Sequence, residues 1–417
     1  MQNFNSRTVC LSYLNKPHYL SLASMKFVIA YLLLVIGNAD AIAQRANAIK
    51  GKIVNGETGV AIPNASVFIT NTSKGTVSSG NGEFELVNVP LGTYDLVVSC
   101  ISFETQVYTY TSSQLPLNMK IQLKPKADEL QVVIIEPYEK DGWEKWGKFF
   151  LDNFIGSSSN AEHCTIKNYT ALHFRNSKKK NLLTVTADEP LIIENKALGY
   201  KIKYQLEGFS FNFNNGTLQY YGYTLFNDLD GKPPKQKQLK NREKAYNGSI
   251  QHFMSSIYNN RLAEDGFEVK RLVKTPNLEK ERVKSLYREN HINNKPKDSS
   301  DYYEKILRQP DMLEKYGVRL LTADSLLISE ASASIKKIFF PDYLYITYKN
   351  EKEDAEYLRY IRETRPAYYQ HSVVFLLNNK AISIDPMGNY YMPQDFMSYG
   401  YWSWSEKIAT MLPLDYK

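Results

Sequence analysis

Short alternations of apolar and polar residues fill the chain between residues 49 and 123. The first run, residues 49–54, has the two-residue period of a half-buried strand, and Asn55-Gly56 behind it is a turn signal. Similar runs recur near residues 65–69, 76–78, 83–86, 94–98, 106–110 and 119–123. Gly, Asn and Pro separate them. Seven short strands with regular turns predict a β-sandwich, which we assign to residues 46–125.

The pattern changes after the sandwich. Residues 130–135 form an apolar, strand-like run, and Asp141 opens a predicted helix that extends to about Phe154. Trp and Phe recur along this helix at helical spacing, at positions 143, 146, 150 and 154. An aromatic stripe of this kind is typical of a packing face. We therefore expect residues 126–160 to form a linker strand and a connector helix that docks one domain on the other.

Residues 161–417 predict a larger α+β domain with an extended antiparallel sheet. Alternating, β-branched or aromatic runs predict strands at residues 182–186, 191–195, 200–213, 217–226, 320–329 and 338–348. Residues 372–377 and 381–384 predict a hairpin across Asn378-Asn379. The charged residues 280–311 predict helical pieces and loops. The fold class expected for the whole chain is mainly β with α+β.

One further helix is expected in this domain. Between residues 246 and 262 the apolar side chains share one helical face, and Gly266 follows in the position of a C-cap. The basic residues 232–244 before it predict a solvated loop. The aromatic residues 400–404 near the end either close the core or form a binding surface, and we favour core closure.

The sandwich region has a specific resemblance. The phrases GKIVN, IPNASVFI, GTVSSGNGEFEL and VPLGTYDLVVSCISFE, in this order, resemble the carboxypeptidase regulatory-like domain, a transthyretin-like β-sandwich. That domain is common at the front of surface and TonB-linked proteins of Bacteroidetes-type bacteria. In the enzymes that give it its name, it lies beside a catalytic domain and is not itself catalytic. The resemblance therefore implies a seven-stranded fold and an exported setting, and no peptidase activity.

Two later segments also resemble recurrent parts of Bacteroidetes proteins that carry this module. They are residues 187–211, ADEPLIIENKALGYKIKYQLEGFSF, and residues 245–269, AYNGSIQHFMSSIYNNRLAEDGFEV. The resemblance brings no assigned activity for this region.

Residues 25–44 have the pattern of a secretory signal. Lys26 precedes an apolar core at residues 27–36 that is too short for an ordinary membrane span, and Ala41-Ile42-Ala43 is a small-x-small cleavage site. We expect cleavage near Ala43 and a protein in the periplasm or at the outer membrane or cell surface. An uncleaved anchor is the alternative. Residues 1–43 are thus an upstream extension and signal peptide, and translation starts at Met1 or Met25.

Composition narrows the function classes. The 417 residues carry a net charge of +7 and 31 tyrosines, which suits a globular exported protein and not a nucleic-acid-binding one. Cys10 lies in the extension. Cys100 and Cys164 either form a disulfide or, as we favour, are buried free thiols.

No motif predicts a catalytic, metal or cofactor site. None of the histidines behind the signal begins the H-x-x-E pair of a zinc carboxypeptidase; they are His163, His173, His252, His291 and His371. The sequence contains no G-x-S-x-G, Walker A or dinucleotide fingerprint. The weak candidates are a Ser249–His252 pair at helical spacing and Asp385, a single turn carboxylate that is poor evidence for calcium.

Three functions are compatible with these observations. We favour a non-catalytic exported binding or accessory protein that contacts a protein, peptide or glycan at the cell envelope. A hydrolase with a dispersed site in the C-terminal domain is the first alternative, and it requires a pocket that gathers His173, His252 or His371 with carboxylates. The second is an accessory subunit of a TonB-dependent outer-membrane system. The oligomeric state is open.

Overall fold

Strands dominate the structure, a computed structural model that describes residues 47–126, 137–288, 297–332 and 334–416. The predicted signal segment and the predicted strand at 130–135 lie outside the described residues. The strands are β1 Ile49–Asn55, β2 Ser66–Ile69, β3 Gly75–Val77, β4 Glu83–Leu86, β5 Thr93–Ser99, β6 Gln106–Thr111, β7 Leu117–Leu123, β8 Cys164–Ile166, β9 Leu172–Ser177, β10 Leu182–Ala187, β11 Leu191–Asn195, β12 Tyr200–Asn212, β13 Thr217–Asp228, β14 Phe267–Pro276, β15 Met312–Tyr316, β16 Leu327–Ser332, β17 Ile335–Ile338, β18 Tyr343–Lys352, β19 Tyr369–Leu376, β20 Ile382–Ile384, β21 Tyr390–Tyr391 and β22 Phe396–Gly400.

Eight α-helices lie within the described ranges. They are α1 Gly142–Phe154, α2 Gln236–Tyr246, α3 Ile250–Tyr258, α4 Leu278–Arg288, α5 Lys297–Leu307, α6 Ala323–Leu326, α7 Ala355–Tyr360 and α8 Tyr401–Ser405. None of these helices has the length and apolar character needed to cross a bilayer.

The N-terminal strands form the predicted β-sandwich. One sheet has the order β4-β1-β7 and the other the order β3-β2-β5-β6. Ile49, Ile53, Val67 and Ile121 are completely buried between them. The burial of β4 alternates residue by residue, as its sequence EFEL predicts. The fold class expected for this part of the chain is confirmed.

Behind the sandwich lies a six-stranded antiparallel sheet. Its order is β8-β11-β12-β10-β9, with β13 paired to β12 along most of its length. Helix α1 packs on this sheet through Phe150 and Phe154, both fully buried. The predicted helix and its packing face are confirmed. Its aromatic residues belong to the core of this sheet.

Two more sheets complete the C-terminal part. A five-stranded sheet has the order β15-β14-β18-β19-β22, and a four-stranded sheet the order β16-β17-β20-β21. They share one core with helix α3, whose Phe253, Met254 and Ile257 are buried there. This is the expected extended antiparallel α+β architecture.

Three local predictions were wrong. The basic residues 232–244 do not form a loop: most of them belong to helix α2, because Gln, Lys and Arg are good helix formers. Arg242 of this helix is buried and donates to the carbonyls of Leu198 and Gly199. The next helix ends at Tyr258, so Gly266 is not its C-cap. Residues 320–329 and 338–348 are interrupted by helix α6 and by the turn before Tyr343.

The predicted hairpin across Asn378-Asn379 is also wrong. Strand β19 pairs with β18 and β22, whereas β20 pairs with β17 and β21 of the other sheet. Asn378 and Asn379 do form a turn, with φ of 56° and 50°, a region that Asn tolerates. The turn connects β19 of the five-stranded sheet to β20 of the four-stranded sheet. A strand–turn–strand pattern fixes the turn but not the partner of each strand.

The sandwich is held against the rest of the chain by backbone hydrogen bonds. The Asn71 amide donates to the Thr224 carbonyl at 2.8 Å, and the Phe226 amide donates to the Thr72 carbonyl at 3.0 Å, so the β2–β3 turn extends the edge at β13. The Leu414 amide donates to the Asn71 carbonyl at 2.7 Å. We call these contacts the docking seam. It joins the sandwich to the six-stranded sheet and to the C-terminal tail.

Candidate functional site

The histidines proposed for a dispersed hydrolase site lie apart. His173 on β9 is 2.6 Å from the Asp188 carboxylate, and His371 on β19 is 3.0 Å from the Thr347 hydroxyl. His252 on α3 accepts a hydrogen bond from the Gly248 amide. His163 is exposed, and His291 lies outside the described residues. The structure does not bring His173, His252 and His371 into one pocket.

Ser249 and His252 form a helix cap. Ser249 is the N-cap of α3, and its hydroxyl oxygen accepts a hydrogen bond from the His252 backbone amide at 3.0 Å. The His252 imidazole nitrogen Nδ1 is occupied by the Gly248 amide at 3.1 Å. Burial lowers the pKa of His252, with Asp265 opposing that effect. The serine hydroxyl therefore satisfies the backbone and is not activated by the imidazole.

Asp385 closes its own turn. Its Oδ1 accepts hydrogen bonds from the amides of Met387 and Asn389, at 2.9 and 3.1 Å, and the residue is only 2% exposed. Within the described ranges, no group of three or more His, Cys, Asp or Glu side chains surrounds a point where a metal ion would fit. The observed geometry gives Asp385 a structural position facing the sandwich.

Cys100 and Cys164 are free thiols and are half-buried. Burial raises the pKa of Cys164 to about 12. A thiol with a raised pKa is a poor nucleophile, since the thiolate is the reactive form.

A polar cleft opens where helices α2 and α3 meet the end of β18 and the C-terminal residues 401–410. Its interior has a volume of about 80 Å³, so it is a shallow cleft. Carboxylate, amide and hydroxyl side chains dominate the wall, and Tyr401 and Trp404 add two aromatic rings. The lining residues are Ser158, Ser159, Asn160, Asn241, Lys244, Ala245, Asn247, Gly248, Ser249, Glu351, Asp354, Gln370, Tyr401, Trp404, Ser405, Glu406 and Thr410.

Two of the cleft carboxylates are fixed by neighbours in the wall. Asp354 accepts from the Lys244 ammonium at 2.7 Å and from the Tyr401 hydroxyl at 3.0 Å. Glu351 accepts from the Gln370 amide nitrogen at 3.2 Å, and burial raises the pKa of Glu351. The carboxylates therefore hold defined positions before any ligand arrives, and such preorganisation favours binding.

Glu406 lies at the N-terminal end of helix α3. Its Oε1 accepts a hydrogen bond from the Ile250 amide at 3.4 Å, and the side chain is half-buried. Burial raises the pKa of Glu406 to about 7, against the opposing effects of the Ile250 amide and Lys407. A carboxyl group with this pKa exchanges its proton near neutral pH.

The aromatic tail holds this wall in place. Trp402 donates from its indole nitrogen to the Gly248 carbonyl at 2.6 Å, and Trp404 donates to the Ser157 hydroxyl at 2.8 Å. Tyr401, Trp402 and Trp404 are all buried. The expectation that residues 400–404 close the core is confirmed, and the same residues also shape the cleft.

Sequence reasoning did not find this cleft. Its side chains come from segments near residues 160, 245, 350 and 405, and no spacing within one segment marks them. The available signal was the aromatic run at residues 400–404, with Glu406 two positions after Trp404. The sequence favoured core closure for that run, with a binding surface as the alternative.

Comparison with known proteins identifies the first domain. The family model for the CarboxypepD_reg-like domain matches residues 49–135. These residues form that domain, as the sequence resemblance implied. No curated protein matches the chain.

Several solved structures are similar to parts of the chain. One chain of a type II cohesin–X-dockerin complex from Acetivibrio cellulolyticus is 23% identical over 18% of this chain and 51% of its own, or about half its length, with a TM-score of 0.15. A protein from Bacteroides uniformis proposed to bind carbohydrate is 14% identical over 45% of this chain and 80% of its own, with a TM-score of 0.15.

A third structure is similar over most of its length. It is a protein of unknown function from Bacteroides fragilis, proposed to be membrane-associated, and it is 10% identical over 85% of this chain and 95% of its own, with a TM-score of 0.16. At such TM-scores these likenesses do not bear on the fold or the function of this chain.

Proposed function

We propose that this chain, whose residues 49–135 form a CarboxypepD_reg-like domain, is a non-catalytic exported binding or accessory protein of the cell envelope. Its ligand occupies the polar cleft and is a short glycan or peptide. The first support is the domain itself, which is of a regulatory type that accompanies other activities. The second support, and the observation that carries the proposal, is the cleft with its fixed carboxylates.

The chemistry of the wall selects the ligand class. Glu351, Asp354 and Glu406 present hydrogen-bond acceptors, and Lys244 is the one cation in the lining. The Ser158 hydroxyl is buried in the wall without a hydrogen-bond partner among the described residues. A ligand rich in donors, such as sugar hydroxyls or peptide amides, matches these groups.

Binding should depend on Asp354. We expect Asp354→Asn to weaken binding of the best ligand from a panel of oligosaccharides and peptides by about tenfold, because a hydrogen bond to a charged group contributes about 1.5–3 kcal/mol. Isothermal titration calorimetry measures the effect. Asp152→Asn is the matched control, since Asp152 is an exposed carboxylate paired with Lys148 on helix α1. Equal affinity of Asp354→Asn and wild type would exclude the cleft.

Location at the envelope is part of the proposal. It is supported by the secretory pattern at residues 25–44. Cell fractionation followed by N-terminal sequencing tests it, with Gln44 as the expected first residue. Co-purification with an outer-membrane barrel would favour the accessory role in a TonB-dependent system, and recovery from the cytoplasm with an intact N-terminus would contradict export.

A second candidate function is glycoside hydrolysis in the same cleft. The specific observation is that Glu406, with its pKa of about 7, lines the same cleft as Glu351 and Asp354. Glycosidases use two carboxyl groups with separated pKa values, one as the acid. Release of reducing ends from the bound oligosaccharide, lost in Glu406→Gln and falling as the pH rises through about 7, would support it. If the oligosaccharide is unchanged after prolonged incubation, hydrolysis is excluded and only the binding function remains.

A further inference from the structure

One face of the five-stranded sheet points away from the shared core and carries a set of aromatic rings. In β18 the core takes Leu344 and Ile346, so Tyr343 and Tyr345 project from the opposite face. Tyr343 lies 5.2 Å from Phe375 of β19, measured between ring centroids. Phe375 lies 5.6 Å from Tyr399 of β22, with the two ring planes only 11° apart. These contacts form a row across three strands.

A second row runs beside the first. Tyr316 on the edge strand β15 is 5.0 Å from Tyr345, and Tyr345 stacks on His371 at 5.2 Å. Tyr316 is 45% exposed and Tyr399 is 49% exposed, while the other rings are half-buried. We call these six side chains the aromatic face. Large rings left this accessible in a group, and not singly, indicate an interaction surface.

The charges around the aromatic face are largely paired. The Lys274 ammonium is 3.0 Å from the Glu314 carboxylate and lies over the rings of Tyr343 and Tyr399, at 5.1 and 5.8 Å. The Tyr316 hydroxyl donates to the same Glu314 at 2.5 Å. The register places Lys270 on this face, opposite Tyr345. Within the described ranges Lys270 forms no ion pair with a carboxylate.

We propose that the aromatic face binds an uncharged polysaccharide chain. Ring faces are electron-rich and attract the weakly positive C–H face of a pyranose ring. Lys274, Glu314 and the tyrosine hydroxyls lie among the rings and exchange hydrogen bonds with sugar hydroxyls. The charge pattern complements a neutral polymer, since a polyanion requires a cluster of free cations. Tyr316 and Tyr399, the two exposed rings of the aromatic face, give the polysaccharide two stacking positions.

This site is separate from the polar cleft. Gln370, which lines the cleft, lies on the core side of β19. The next residue, His371, belongs to the aromatic face and lies on the opposite side of the strand. A cleft variant such as Asp354→Asn should therefore leave polysaccharide binding unchanged. If the cleft proposal fails, ligand binding in the cleft is absent while polysaccharide binding to the aromatic face remains. If the aromatic-face proposal fails, the reverse is observed.

The full mature chain is the material for the test. We expect native affinity electrophoresis to show retardation by neutral polysaccharides, namely xyloglucan, galactomannan or a soluble β-glucan. The double variant Tyr316→Ala/Tyr399→Ala should bind about tenfold more weakly, because two stacking contacts are lost. Tyr221→Ala is the matched control, since Tyr221 is 65% exposed on β13 of the six-stranded sheet. Its affinity should equal that of the wild type.

A conservative double variant separates stacking from misfolding. Tyr316→Phe/Tyr399→Phe keeps both rings, so its binding should stay within about threefold of wild type. The proposal is overturned if the wild type binds none of the neutral polysaccharides. It is also overturned if only the polyanions heparin and polygalacturonate retard the protein. Loss of binding in the Phe variant equal to that in the Ala variant would likewise contradict stacking.

Discussion

At the residue scale, Asp385 lies in a buried polar environment. Its Oδ2 and the hydroxyls of Tyr94 and Tyr110 are buried, and none of the three has a hydrogen bond of good geometry among the described residues. Gly92, at φ +147°, leaves room for the carboxylate, because a Cβ there would lie 2.3 Å from Oδ2. The side-chain amide nitrogen of Asn389 donates a hydrogen bond to the Thr93 carbonyl of the sandwich at 2.8 Å. The 385–389 turn therefore fits into the end of the sandwich.

This environment makes stability depend on pH. Burial raises the pKa of Asp385 from 3.8 to about 6, so the folded protein holds this proton more tightly than the unfolded chain. The stabilising contribution is complete below about pH 4 and is lost as the pH rises through about 6. Tyr94 and Tyr110 face the carboxyl group from the sandwich, and no cation in the described ranges forms an ion pair with Asp385. The proton is thus the one counter-charge available there.

Asp385→Asn should remove this pH dependence. The neutral amide keeps an oxygen for the Met387 and Asn389 amides and resembles the protonated acid. Relative to wild type, we expect the variant to gain about 3 kcal/mol in free energy of unfolding between pH 4 and pH 7. Urea denaturation across this range measures it. Glu57→Gln, an exposed carboxylate in the sandwich, should follow the wild type, and parallel curves for all three proteins would contradict the argument.

At the element scale, helix α1 shows how an aromatic stripe is used. Phe150 stacks on Phe154 at 4.9 Å and meets Phe174 edge-on at 6.0 Å. The ring of Phe209, on the six-stranded sheet, lies 5.0 Å from the ring of Phe150. Lys148, on the opposite side of the helix, is 88% exposed and pairs with Asp152. One helix therefore contains both a core anchor and a solvent-facing pair at nearby positions.

Substitutions in this helix should have unequal costs. We expect Phe150→Ala to lower the free energy of unfolding by about 3–5 kcal/mol, through lost burial and the cavity left behind. Lys148→Ala should change it by less than about 0.5 kcal/mol, because an exposed ion pair contributes little. Thermal denaturation of both variants measures the two changes in the free energy of unfolding. A small loss for Phe150→Ala would mean that the helix is not part of the cooperative core.

At the scale of the whole molecule, the docking seam joins the two parts of the chain. Besides the backbone bonds at Asn71 and Thr72, the Asp415 carboxylate accepts from the Ser73 amide at 2.8 Å and from the Ser73 hydroxyl at 2.6 Å. The Thr224 hydroxyl donates to the Asn71 side-chain oxygen at 2.5 Å. The C-terminal tail is therefore hydrogen-bonded to the sandwich, although the two are far apart in sequence.

Loss of Asp415 should loosen this seam locally. We predict that Asp415→Ala makes the Ser73 amide exchange with solvent several-fold faster, because local opening then costs about 1 kcal/mol less. Hydrogen-exchange mass spectrometry of the peptide spanning residues 70–75 records it. Glu85→Ala breaks only the exposed Lys50–Glu85 pair and should leave that peptide unchanged. If both variants exchange alike, the tail does not hold the sandwich.

The predictions from sequence succeeded where a pattern reports local environment. The alternation in β4, the stripe of α1 and the turn at Asn378-Asn379 each follow from which side of a short segment meets the core. They failed where a strand's partner had to be named: β19 and β20, predicted to form one hairpin, join different sheets. Residues 232–244 were misassigned because charge suggested solvent, while helix propensity and the buried Arg242 determined the conformation.

The sequence by itself determined the CarboxypepD_reg-like sandwich, the mainly β class and the aromatic packing segments, since each depends on neighbours a few residues apart. Only the tertiary structure decided the docking seam, the environment of Asp385, the polar cleft and the aromatic face. Each of these gathers side chains separated by tens to hundreds of positions. No local periodicity specifies which strands become neighbours, because that choice is made by the packing of the whole chain.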